Sequence, residues 1–242
     1  MIDNDTSECN QKTMEEKLEE LILIDNLKKK YEFNINSGEN KTFVFFLING
    51  ENYEGEIKVL IQGKNTKVQI LGIIIGYKNQ QIKIITLQDH LAGESTSDLY
   101  VKSALFDNAK FSYEGMIRIE KNAQKSDAYQ KNQNLILSQK ANANTKPHLE
   151  ILANEVRCTH AVTVGDISDD LLYYLNTRGL NKLQAKYLIL SGYFEEILQR
   201  IKDIKIRNRL KKNLHNKLLK LFGLKIGESI RLIASIRPKQ KD

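Results

Sequence analysis

Tryptophan is absent from this chain of 242 residues, which has only two prolines and two cysteines. The cysteines, Cys9 and Cys158, lie far apart, so no disulfide framework is spelled out and a reducing cytoplasm is the default compartment. No run of about 18 apolar residues occurs, so nothing reads as a membrane span. The first residues are acidic and polar, without the basic-then-apolar pattern of a signal peptide. Missing too are G-x-S-x-G, G-x-x-x-x-G-K-[ST] and H-E-x-x-H, the signatures of a serine hydrolase, a phosphate-binding loop and a zinc protease. No cluster of carboxylates marks a carbohydrate-cleaving groove. Asp89 and His90 make no dyad, because adjacent strand residues face opposite ways. The expectation is a protein that is not an enzyme.

At 41% hydrophobic and 28% charged residues, the composition is that of a soluble globular chain. The net charge of +7 is unevenly placed: Arg200 to Asp242 holds 14 Lys/Arg against 3 Asp/Glu, which leaves the remainder acidic. Three textures follow one another. Residues 1–40 read as a polar leader and a helix opened by the capping box Thr13/Glu16, carrying Leu18, Leu21 and Ile22 and ending near Asp25-Asn26. Residues 41–167 form short apolar runs separated by turn residues: Phe43–Ile48, Ile57–Ile61, Val68–Ile75, Ile82–Ile85, Leu99–Leu105, Met116–Ile119 and Leu135–Leu137. No helical period alternates with them, so the fold class is mainly β and a doubly wound sheet is disfavoured. Sandwich, barrel and parallel β-helix stay open on pattern alone, and no fixed repeat appears. Asn79-Gln80-Gln81 and Asn132-Gln133-Asn134 are candidate side-chain ladders.

Residues 168–242 turn helical. Ser168 caps a first helix that ends at Gly179, and Asn181 caps a second that ends near Ser191-Gly192. A third begins at Tyr193 with Phe194, Ile197, Leu198 and Ile201. Ile206 to Phe222 is a basic amphipathic fourth, and Ile230–Ile236 alternates like a strand.

The stretch Thr145 to Gly165 holds Pro147, Cys158 and two of the four histidines. Short strands are expected around Leu149–Ile151, Val156 and Val162–Val164. On one strand, Cys158 and His160 would share a face roughly 6.5–7 Å apart. Such a pair is either two metal ligands or a buried thiol beside a surface imidazole. A complete four-ligand site within this chain is implausible, so any metal here would need donors from another chain.

The same stretch, L-E-I-x-A-x-x-V-x-C-x-H-x-x-T-V-G from Leu149 to Gly165, resembles the SufB/SufD family of iron–sulfur cluster assembly proteins. Phe111–Gly115, Ala123–Gln130, Asn134–Ser138 and Leu171–Leu180 match in order, and the resemblance runs from about His90 to Leu198. It implies a right-handed parallel β-helix core, with a short N-terminal helix and a C-terminal helical subdomain. It implies a scaffold that pairs with a SufB-type subunit, or with its own copy, through the β-helix. A transient iron–sulfur cluster would sit at that interface, with none tightly bound by the chain alone. His160 and Cys158 match a C-S-H-G motif of SufD-like members. Ala161 replaces the acidic residue of SufB-like ones, and no second core cysteine exists to accept sulfur. The larger N-terminal helical region of the family looks shortened.

The resemblance also implies that the C-terminal helices dock a SufC-type ATPase, with Leu171, Tyr173, Tyr174, Arg178, Gly179, Tyr193 and Phe194 in the docking segment. ATP-driven closure of that partner would then move the paired scaffolds. The alternative is a β-helical module that binds nucleic acid or anionic surfaces through Arg207, Arg209, Lys211, Lys212, Lys217 and Lys220. Against it, Leu210, Leu214, Leu218 and Leu221 predict one packed face, and no aromatics are interleaved for base stacking.

Overall fold

The computed structural model describes residues 20–25 and 30–225. The described strands are β1 (Glu20–Ile24), β2 (Lys30–Ile35), β3 (Asn40–Leu47), β4 (Tyr53–Ile61), β5 (Thr66–Gly76) and β6 (Gln81–His90). They continue with β7 (Ser95–Leu105), β8 (Lys110–Ile119), β9 (Asp127–Ile136), β10 (Asn142–Ile151) and β11 (Arg157–Gly165). Three helices follow: α1 (Asp169–Thr177), α2 (Lys182–Leu198) and α3 (Ile204–Phe222).

The strands alternate between two parallel sheets, β1-β3-β5-β7-β9-β11 and β10-β8-β6-β4-β2. The chain is thus a β-helix, each strand stacking on the one two places earlier. Thr66 is in register with Ser95 and Thr96 with Asp127, offsets of 29 and 31 residues. The repeat is structural and not a sequence period, because what recurs is corner geometry. Left-handed backbone occurs at Asn65, Glu94 and Lys125 on one side and at Lys78 and Asp107 on the other, all with φ between 54° and 60°. These turns interlock: the Asn65 N–H donates to the Glu94 carbonyl at 2.9 Å, and the Glu94 N–H to that of Gln124 at 2.9 Å. A side-chain ladder reinforces one corner, whereas the contact at Asn132 and Asn134 runs along a single strand. The Asn108 amide donates to Asn79 Oδ1 at 2.8 Å, and Asn132 and Asn134 hydrogen-bond each other inside the coil.

Every second residue of each strand points into the lumen. In the early turns that filling is apolar, with Phe43, Phe45, Ile57, Val59, Ile70 and Ile84 wholly buried. Later turns bury Thr86, Gln88, His90, Ser97, Gln130, Asn132 and Asn134. On the outside, Val44, Phe46, Leu71, Ile73 and Ile75 of the six-stranded sheet form one apolar cluster with Leu190, Phe194, Ile197, Leu214 and Leu218 of the helices.

Residues 20–25 and 30–35 depart from the expected leader and helix. Leu21 and Ile22 lie on β1, in register with Thr42 and Phe43, and β2 extends the other sheet. An open sheet edge offering backbone partners outweighs a weak local helical preference. Thr13 and Glu16, Cys9 and the strand expected at Ile230–Ile236 lie outside the described residues.

Two other elements merge. Val156 does not carry a strand of its own, and β11 runs unbroken because each of its residues pairs in register with β9. The expected second and third helices are one, α2, passing through Ser191-Gly192. Its buried residues Tyr187, Leu190, Phe194 and Ile197 keep a helical period across the glycine, which costs only about 1 kcal/mol in a helix interior. Asn181 and Gln184 form a full capping box at its start. Ser168 caps α1 in position only, without a side-chain hydrogen bond.

Candidate interface site

Among the described residues β10 and β11 are the last strands of their sheets, so the final turn has a stacked neighbour on one side only. On β11, Cys158, His160, Val162 and Val164 are in register with Ala128, Gln130, Asn132 and Asn134, all four of them buried lumen residues. They therefore continue the lumen-facing rows into a turn that nothing covers among the described residues. Leu149 and Ile151 on β10 continue the rows of Ile117 and Ile119 in the same way. The result is an open end with half-exposed apolar side chains, Leu149 at 38% and Val164 at 48%.

Cys158 and His160 share one strand and one face, as their spacing requires. Their environments differ. Cys158 is half-buried beside the cluster of Ile117, Ile119 and Ala128. That burial pushes its thiol up, and the Asp127 carboxylate adds to the effect. His160 is exposed. Among the described residues no three His, Cys, Asp or Glu side chains gather into a metal site. Two soft donors leave two positions of a tetrahedral set to be supplied from elsewhere.

Beneath this row lies a polar lumen that the strand pattern did not reveal. Gln130, in register with His160, has its Oε1 buried without a protein partner, and both amide atoms of Gln88 are likewise unpartnered. The Asn134 amide donates to Thr145 Oγ1 at 3.2 Å and to the Thr163 carbonyl at 3.4 Å, tying β9 to both terminal strands. The sequence D-A-Y-Q-K-N-Q-N of β9 is polar on both faces, so alternation gave no hint of which polar residues turn inward.

The structure divides the expected docking segment. Leu171, Tyr173 and Tyr174 stand exposed on α1, Tyr173 at 71%, and the Arg178 guanidinium lies over the Tyr174 ring at 5.2 Å. Gly179 ends this helix in a left-handed turn at φ +86°. Tyr193 and Phe194 do not belong to that surface. Phe194 is wholly buried, and the Tyr193 hydroxyl donates to the Gln133 carbonyl on β9 at 2.7 Å. These two residues hold α2 on the sheet. On α3, Leu210, Leu214 and Leu218 are buried, while Lys211 pairs with Glu195 at 2.8 Å and Lys217 reaches the Tyr77 hydroxyl at 2.7 Å. No helix among the described residues is long and apolar enough to cross a membrane.

The described residues thus form a β-helix whose last turn is uncovered among them, with helices braced on one sheet. The family model described as "SUF system FeS cluster assembly, SufBD core domain" matches residues 30–193. The chain is 30% identical over 158 residues to the iron–sulfur cluster assembly protein SufD of Escherichia coli, covering 65% of this chain and 37% of that protein. A SufBD family protein of Synechocystis is 29% identical over 189 residues, covering 67% and 42%. One of Mycobacterium bovis is 31% identical over 156 residues, covering 61% and 39%. The chain therefore belongs to the SufBD family of iron–sulfur cluster assembly proteins, and it spans roughly two-fifths of the length of these relatives.

Proposed function

We propose that this chain is a non-catalytic, SufD-like scaffold that completes its last turn against a SufB-type subunit, or a second copy of itself, and presents His160 and Cys158 to a nascent iron–sulfur cluster at that junction. The observation that carries this reading is the placement of both donors in the lumen-facing row of an edge strand, among half-exposed apolar side chains. An edge strand with unpaired backbone groups and an apolar face is a template for another chain. The cluster is cargo held between subunits: His160 supplies an accessible imidazole, while Cys158 supplies a thiol that must lose its proton to ligate. Leu171, Tyr173 and Tyr174 form a compact exposed surface of the kind that anchors a partner, here a SufC-type ATPase.

The test is co-purification of the tagged chain with SufB-type and SufC-type proteins from its own source. Charge substitutions at Leu171 and Tyr174 should release the ATPase alone. His160→Ala should leave the assembly intact and lower the iron and sulfide it retains. Failure to associate with either protein removes the reading.

A further inference from the structure

α1 packs on α2, with its buried Leu172 and Leu175 in the apolar cluster, and a polar cluster ties α2 to the six-stranded sheet that carries the His160 row. Over β3 and β5 the contact of the helices with the sheet is apolar. Over β7 and β9 the apolar contacts of Ala104 and Leu135 are joined by polar, directional ones. Lys102, on the outer face of β7 and 2% exposed, donates to Glu196 Oε2 at 2.5 Å and to the Tyr193 carbonyl at 2.6 Å. Its ammonium lies 4.2 Å from the centre of the Tyr193 ring. The Tyr100 hydroxyl is 2.9 Å from Glu196 Oε1 and 2.5 Å from Gln133 Oε1, and Lys131 of β9 stands 3.8 Å from the same carboxylate. Arg200, paired with Asp98 at 2.9 Å, closes the cluster over the Tyr100 ring. Tyr193 hydrogen-bonds the backbone of Gln133, and Gln133 is in register with Thr163 of β11.

We propose that Glu196 and Tyr193 are the positioning residues that couple the docking helices to the cluster row: a displacement of α1 and α2 is delivered to β9 at Lys131 and Gln133, and from β9 through the backbone ladder to β11. The proposal rests on the function proposed above. An apolar contact could slide by a fraction of a residue, whereas a buried ammonium held by two oxygens and a ring fixes one register. Burying Lys102 is costly unless its partners stay in place, so the sheet must follow the helix. His160 lies on the opposite face of β11, one strand from the clasp, so a shift of β9 changes the row it presents.

The experiment uses the full chain in complex with a SufC-type ATPase and follows amide hydrogen exchange across 157–165 with and without a non-hydrolysable ATP analogue. In the unaltered complex the analogue should change exchange in β11. Glu196→Gln and Tyr193→Phe should each reduce that response by roughly threefold or more, while binding of the ATPase stays within about twofold. Tyr193→Phe keeps the ring and removes one hydroxyl, so it reads coupling even where Glu196→Gln unfolds. A purely structural role would lower the melting temperature without separating binding from response. Variants that bind and respond like the unaltered chain overturn the proposal, as does an unaltered complex whose β11 ignores the nucleotide. Absence of any ATPase binding instead removes the scaffold reading on which it stands.

Discussion

Val164→Asp is the sharpest perturbation of the open end. Fully burying an exposed Val, Leu or Ile side chain contributes about 1.5–3 kcal/mol. Leu149, Ile151, Val162 and Val164 retain 38, 42, 37 and 48% exposure, so covering all four in a junction would contribute about 2.5–5 kcal/mol. An aspartate at 164 forfeits roughly 0.7–1.4 kcal/mol of this and must take its charge out of water, a penalty that can reach several kcal/mol. The expected loss is about 3–5 kcal/mol, a weakening of association by two to four decades in Kd. The isolated chain should lose no more than about 0.5 kcal/mol, since half of that side chain is already solvated. Thr159→Asp, on the opposite face of the same strand, is the control. Sedimentation velocity with a SufB-type partner, and with the chain alone, reads the association; urea unfolding reads the chain. Equal effects from the two substitutions, or none from Val164→Asp, would refute lumen-row pairing.

Other perturbations test the interior. His90 is wholly buried between Ser95 and Ser97, with ring nitrogens 2.7 and 2.8 Å from their hydroxyls, and burial pushes its pKa down to about 4 although Asp89 opposes this. Its folded value lies below the ordinary 6.5, so the unfolded chain binds the proton first and stability is lost as pH falls from 6.5 toward 4. The urea midpoint should report about 2 kcal/mol less stability at pH 5 than at pH 8, and this slope should flatten in His90→Gln. In a Cys9→Ser background, Cys158 should alkylate more slowly at neutral pH than a free thiol, and Asp127→Asn should speed it; a rate equal to that of glutathione would count against the burial argument. Gly72→Ala would place a Cβ 2.2 Å from the Phe45 ring and should cost about 1–3 kcal/mol. Gly192→Ala on α2 meets nothing within 4 Å and should stabilise by up to about 1 kcal/mol, so urea melts of the pair should move in opposite directions.

The strands of the apolar turns were legible because their lumen rows are rich in β-branched and aromatic residues, as in Phe43–Ile48 and Val68–Ile75. β2, K-Y-E-F-N-I, alternates polar and apolar residues without a break and so carries the strand signal in full, whereas the five residues of β1 carry too little periodicity to tell strand from helix. That Cys158 and His160 share a face followed from spacing alone. That this face is the end of a stack did not, since it depends on β11 having no successor in its sheet among the described residues. The division of the expected docking segment was hidden for a similar reason: Tyr193 reads as one more aromatic on a helix, and only the position of Gln133 beneath it shows that it faces the sheet.

The stacking has a consequence for how the chain comes to be folded. From β6 on, each strand finds its template about 30 residues upstream, as Arg157 does at Asp127, so no contact between successive turns demands closure of a long loop. Folding can therefore advance turn by turn behind synthesis, every new strand meeting a surface that already exists. Among the described residues, the last strand laid down is the one that carries His160. It completes the described part of the sheet and, in the same act, forms the edge at which the proposed partner would add its own strand.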